Sequence, residues 1–203
     1  MAYNRFVSHK AAVVSVFVMA TLVVFVALSP FTARYGVNEA VQAPPNYFLS
    51  PRANAWLGTD DIGRDVLSRL LHGARLSLLI GVVAVTLSML PGIVLGLLAA
   101  FHPRILGTAI LRAMDVMLAL PSLLLAIAVV AVLGPGLLNT MIAIAIVSVP
   151  GYTRLVRASA MAELQKDYVI ASRLAGAGTL RLMFHTVLPN CMAPVIVTAT
   201  LGF

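Results

Sequence analysis

Uncharged apolar runs alternate with short polar segments along the whole chain. Residues 11–28 carry no charge in eighteen positions, and eleven of them are Val, Leu or Phe. Such side chains contribute roughly −0.3 to −0.6 kcal/mol each at a helix centre, so insertion gains at most roughly 3–6 kcal/mol. Arg5 and Lys10 precede the run as they would in a signal peptide. It exceeds the core of such a peptide, however, and therefore predicts a retained anchor helix. The runs at 76–101, 116–133 and 137–152 predict three further spans, and a fifth starts near 187. Pro189 and Asn190 leave the fifth run only thirteen clean apolar positions, from Cys191 to Phe203. That is short of the ~20 needed to cross a ~30 Å core. The fold class expected is all-α, a polytopic transmembrane bundle with four full spans and an incomplete fifth. Residues 1–56 would form the anchor helix and an extracytoplasmic loop, and 57–203 the helical core.

Pro91, Pro121, Pro150 and Pro189 sit in or beside these runs, and Gly81, Gly92, Gly96, Ala99 and Ala100 recur in the second. In lipid, prolines kink helices whose freed carbonyls neighbouring groups can satisfy. Small residues let helix backbones approach closely. Together they predict a bundle that bends.

Composition agrees with a membrane protein and removes other classes. Hydrophobic residues make up 61% and charged residues 10%, against about 25% charged in average chains. A disordered chain and a nucleic-acid-binding domain are excluded. Cys191 is the single cysteine, so no internal disulfide and no cysteine metal knuckle exists. The net charge of +7 lies between the apolar runs, where orientation signals sit. With the N-terminus in the cytoplasm, Arg5, Lys10, Arg104, Arg112, Arg154, Arg157, Lys166, Arg173 and Arg181 fall inside. Arg34, Arg52, Arg64, Arg69 and Arg75 fall outside. Nine against five supports an inward N-terminus.

Three polar segments carry the remaining information. In 57–78, Thr59 or Asp60 is placed to cap a helix, with Asp60, Asp61 and Asp65 near its positive end. Ile62, Val66, Leu70 and Leu71 share one face, which predicts an amphipathic helix on the outer membrane surface. In 112–121, Arg112 and Asp115 are spaced i, i+3 and predict a neutralising pair at the mouth of the third span. Residues 153–186 read as a helix, a glycine turn at Gly176 and Gly178, then a basic stretch. This would project from the inner face, as a docking surface or as a simple connector.

No G-x-x-x-x-G-K-[ST] is present, so the chain has no phosphate loop of its own. His9, His72, His102 and His185 are too far apart in sequence for local metal-ligand spacing, and no G-x-S-x-G occurs.

The segment DYVIASRLAGAGTLRLMFHTVLPN resembles the EAA loop of bacterial ABC-importer permeases. Ile170, Ala171, Ser172 and Gly176 stand at its EAA and glycine positions, with Ile170 in place of the usual Glu, Ser172 for Ala and Thr186 for an apolar residue. LGTDDIGRDVLSRLLHGARLSL resembles the segment before the second helix of peptide and nickel importer permeases, on Gly58, Thr59, Asp60, Gly63, Arg64, Asp65, Ser68 and Arg69. RAMDVMLALPSLLLAI, with Arg112, Asp115 and Pro121, resembles their third-helix stretch. The likeness covers most of the chain from Trp56 onward and is closest to the second, shorter permease of dipeptide or oligopeptide importers.

That resemblance implies a six-helix subunit in the bacterial inner membrane, of which this chain would lack the last helix and part of the fifth. It implies a homologous permease partner, two cytoplasmic ATPase subunits that bind the ATP, and an extracytoplasmic substrate-binding protein. No cofactor of its own and no nucleic acid are expected. Asp167, Tyr168, Ala171, Ser172, Arg173, Gly176 and Gly178 would form the ATPase-coupling element. Two other readings stay open: a transporter driven by an ion gradient, for which Asp115 is the one candidate acid, and a non-transporting scaffold subunit.

Overall fold

The structure, a computed structural model, describes residues 10–39, 41, 50–52 and 54–202. Arg5 and His9 ahead of the first apolar run, and Phe203 at the end of the last, lie outside the described residues. The chain divides into two compact units, Met1–Leu79 and Ile80–Phe203. Every regular element among the described residues is helical.

In the first unit, α1 (Lys10–Ala27) is apolar on all sides, with Val14 60% and Phe17 72% exposed. A helix hydrophobic all round needs a nonaqueous environment. A single helical turn at Ser29–Thr32 follows, and the described residues from Ala33 to Asp65 hold turns and bends without a further helix. The Val41 N–H donates to the Gly63 carbonyl at 2.8 Å. Among residues 57–65, no separate surface helix precedes the second span. Residues 57–65 are turns, and α2 (Val66–Phe101) begins at Val66 and continues unbroken for 36 residues. The amphipathic pattern of 57–78 thus belongs partly to a folded turn and partly to the first turns of the span.

The second unit adds α3 (Leu106–Ala119), α4 (Ser122–Leu133), α5 (Leu137–Glu163), α6 (Asp167–Leu174) and α7 (Thr179–Leu201). The run at 116–133, expected as one span, is broken at its proline: α3 and α4 meet at 96°. Leu120 is extended (φ −92°, ψ 140°) in front of Pro121. A proline pushes its predecessor out of the helical region and has no N–H to continue the ladder. Pro91 and Pro150 stay inside α2 and α5 without ending them. The α4–α5 turn uses Gly134 at φ 86°, and the Asn139 amide donates to the carbonyls of Leu133 (2.9 Å) and Gly134 (3.1 Å). Carbonyls that α4 leaves without helical partners are satisfied in this way.

Helix α5 outruns its expected end at 152 and reaches Glu163, while α7 starts at Thr179, ahead of 187. Within α7, Leu182–Val187 forms a π-helical turn just before Pro189, which cannot donate to the ladder. Among the described residues, three helices, α2, α5 and α7, are long and apolar enough to cross a membrane, and the bent pair α3–α4 makes a fourth candidate. The described apolar stretch of α1, Val13–Ala27, is shorter.

The main core joins Ile93, Leu97 and Ala100 of α2 to Tyr152, Val156 and Ala160 of α5 and to Val187, Cys191 and Val195 of α7. Close approach is set by glycine, as the small residues of the second run predict. A Cβ on Gly92 would collide with Cβ of Tyr152, and one on Gly96 would sit 2.7 Å from both the Thr153 carbonyl oxygen and Val156 Cβ. Gly96→Val is therefore expected to cost about 1–3 kcal/mol of overpacking, read as a lower Tm in detergent. Gly151→Ala, whose added methyl meets nothing within 4 Å, serves as the control. A Gly96→Val protein melting with the wild type would show that α2 and α5 do not touch there.

Candidate functional site

The coupling element predicted at 167–178 is one continuous structure. α5 ends at Glu163, and Lys166 turns extended (ψ 145°) to start α6. Asp167 in the first turn and Arg173 in the last suit the helix dipole. Only Val169 of α6 is buried, at 0% exposure, and it enters the same core cluster as Tyr152, Val156, Met183 and Val187. Burying a valine contributes on the order of 1.5–3 kcal/mol toward seating this short helix.

A polar clasp holds the other side. The Lys166 ammonium donates to the Glu163 carboxylate at 2.6 Å, and the Tyr168 hydroxyl donates to the same carboxylate. Burial, then the adjoining Glu163 carboxylate, pushes the Tyr168 phenol up to about 12. It therefore remains a protonated donor at any physiological pH.

The C-terminus of α6 closes in a Schellman arrangement. The Gly176 N–H donates to the Arg173 carbonyl (3.0 Å) and the Ala177 N–H to the Ser172 carbonyl (3.1 Å). Gly176 holds φ 83°, a left-handed conformation that glycine adopts freely. Gly178 has φ −66° and needs no glycine for its backbone. With Val169 turned inward, Ile170 (46% exposed), Ala171, Arg173 and Leu174 (83% exposed) face outward, and Ser172 is half-buried.

The motif at 58–69 folds into a turn built around Asp60. Its Oδ1 accepts the backbone N–H groups of Ile62 (3.1 Å) and Arg64 (2.9 Å). Its Oδ2 accepts Arg64 Nε (2.9 Å) and the Arg69 guanidinium. Gly58 (φ 77°) and Gly63 (φ 81°) supply the left-handed corners. Thr59 and Asp60 do not cap the helix. Asp65 does, its Oδ2 accepting the Ser68 N–H at 2.8 Å, as a side chain preceding the first helical residue should. Partial burial alone would push the Asp60 carboxyl up, but the two backbone N–H groups and the Arg64 guanidinium outweigh it and hold it at about 2.

The third group divides. Arg112 lies 4.0 Å from Asp115, whereas Arg154 of α5 reaches the same carboxylate at 2.5 Å. The main partner of Asp115 is thus 39 residues away in sequence, and the pair ties α3 to α5. Arg112, with its side chain 80% exposed, is peripheral. Pro121 sits at the α3–α4 break. Three positions that sequence reasoning passed over complete the site: Arg154, Glu163 and Val169. Glu163 was detectable from its spacing to Lys166 and Tyr168. Arg154 carries no local signal.

Two family models match the chain. One, described as the binding-protein-dependent transport system inner membrane component, covers residues 92–203. The other, the N-terminal TM domain of oligopeptide transport permease C, covers residues 1–51. The di/tripeptide transport system permease protein DppC of Pseudomonas aeruginosa is 59% identical over 206 residues, covering 99% of this chain and 68% of the relative. The dipeptide transport system permease protein DppC of Escherichia coli K12 is 46% identical, with the same coverage. That of Haemophilus influenzae is 43% identical over 201 residues, covering 97% and 68%.

The Asp60 turn yields a pH test. Its folded pKa is depressed from 3.8 to about 2, so its contribution is complete above the unfolded value and is lost as pH falls through the folded one. Trp56 is the only tryptophan and lies directly before the turn. Its emission in the solubilised protein is expected to change between pH 4 and 2. Asp60→Asn should show the altered emission already at pH 7, and a flat wild-type profile would remove Asp60 as the organiser.

Proposed function

The chain belongs to the binding-protein-dependent transport system inner membrane component family, and from that premise we propose that it forms one half of a peptide translocation pathway driven through α6. It is the membrane-spanning permease subunit of an ABC importer. The relatives are named for di- and tripeptide transport, and short peptides are the substrate class proposed for this chain. ATP binds and is hydrolysed on two separate cytoplasmic subunits. A homologous permease supplies the other half of the pathway, and an extracytoplasmic binding protein delivers the peptide. The N-terminus lies in the cytoplasm, by the nine-to-five division of basic residues, which places α6 on the ATPase side.

The build of α6 carries this reading. A helix of 8 residues, held by one buried valine, a carboxylate clasp and a glycine lock, presents Ile170, Ala171, Arg173 and Leu174 to its surroundings. Exposed leucine and isoleucine on a projecting element call for a partner surface. When the ATPases close, their displacement of α6 passes through Val169 into the core shared by α2, α5 and α7. Alternating access then arises as rigid-body movement between two packings. A gradient-driven mechanism would require a free acid in the spans, and Asp115 is instead engaged by Arg154.

A pair of variants at one position tests the role of α6. A Cβ on Gly176 meets nothing within 4 Å, so Gly176→Ala and Gly176→Trp share the same left-handed strain, roughly 1–3 kcal/mol, and differ in bulk outside the fold. Gly176→Ala should keep most peptide uptake. Gly176→Trp should abolish uptake and ATPase co-purification at normal membrane levels. Full uptake by Gly176→Trp would end the coupling reading. In cells, uptake should also collapse on ATP depletion and persist under a protonophore, and the reverse pattern would favour an ion gradient.

A further inference from the structure

Behind the glycine lock lies an open hollow of about 440 Å³, lined by Ser172, Gly176, Ala177, Arg181, His185 and Thr186 among others. No acid lines it. Among the described residues, none of Arg173, Arg181 and His185 takes part in an ion pair, although the neighbouring Lys166 is matched to Glu163 and Arg154 to Asp115. The hollow therefore presents unmatched positive charge at the end of α6. Two strongly exposed leucines adjoin lining residues in sequence, Leu174 (83%) next to Ala175 and Leu180 (71%) next to Arg181.

We propose that this hollow receives an aspartate or glutamate side chain of the ATPase subunit, which pairs with Arg181 while Leu174 and Leu180 cover the contact from water. The proposal rests on the docking role of α6 and adds the chemistry of the partner surface: a carboxylate set among apolar residues. An arginine guanidinium matches a carboxylate with two parallel hydrogen bonds. Apolar neighbours that exclude water keep such a pair from being screened. The position of the hollow at Gly176 itself favours a protein carboxylate over the phosphate of a lipid headgroup, because the partner that reads the outward face of α6 reaches the hollow next. Position 170, where an isoleucine faces outward, offers no charge. The electrostatic part of recognition therefore falls to Arg173 at the end of α6 and to Arg181 after the glycine.

The test uses the assembled complex, with its second permease and both ATPases, purified in detergent across a range of salt. Wild type should release ATPase progressively as salt rises. Arg181→Glu, a like charge against the partner carboxylate, should lower ATPase retention at low salt by at least about tenfold. Arg181→Gln should bind more weakly than wild type with a flattened salt dependence, and Arg181→Lys should restore most retention. Unchanged permease–permease association and Tm would assign the loss to docking rather than folding. Full retention in Arg181→Glu, with Gly176→Trp still releasing the ATPase, would overturn the carboxylate while leaving the docking role of α6 standing. Full retention in both variants would overturn both. An Arg181→Glu effect seen only in phosphatidylglycerol nanodiscs, and absent in phosphatidylcholine nanodiscs and in detergent, would assign the hollow to a headgroup and overturn the proposal.

Discussion

The contact between α2 and α5 at Gly92 and Gly96 is the constraint on which the rest of the second unit depends. Neither glycine has a side chain, so the backbone of α2 rests against Tyr152, Thr153 and Val156. That closeness brings Ile93 and Leu97 within reach of α7, and α7 in turn meets Val169 of α6. Without a hydrophobic drive between helices in lipid, such packing is what association rests on. One cluster therefore runs from a spanning helix to the projecting element. The small residues are the condition for it.

Much of this was legible in the sequence, because it depends on local chemistry. The apolar runs gave the helices, and Gly176 gave the lock of α6, since a helix end followed by glycine has few other uses. The close approach at Gly92 and Gly96 followed from the recurrence of small residues. What failed shared a different cause. Ile62 in the turn at 58–65 falls in helical register with Val66 and Leu70, but Asp60 binds the backbone N–H groups of Ile62 and Arg64, offering them an alternative to helical bonds. Short acidic side chains compete with helix in this way. Periodicity counts apolar positions and does not see that competition.

Distance in sequence explains what a helical count leaves out. Arg112 stands three residues from Asp115 and pairs with it at 4.0 Å as the count expects, but Arg154 from another helix makes the shorter contact to the same carboxylate. No rule of spacing within one helix anticipates a partner 39 residues away. The break at Leu120 lies between the two cases. Pro121 was visible, but so were Pro91 and Pro150, which leave their helices running. What separates them is the backbone ahead of the ring: Leu120 has left the helical region, whereas α2 and α5 pass through their prolines intact.

These differences in attachment set parts of the second unit apart. α6 is joined to α2, α5 and α7 through buried side chains, so a push on it is shared by all three. α4 has no buried residue of its own and turns 96° from α3 across a two-residue break. Packed cores move as blocks, because interdigitated side chains resist gradual deformation. The α3–α4 break lies outside that buried cluster. Arg154 and Asp115 bridge α3 to α5 near that boundary, with both side chains about half exposed. In water such an exposed pair is worth no more than about 1 kcal/mol, so it can yield where the buried cluster does not.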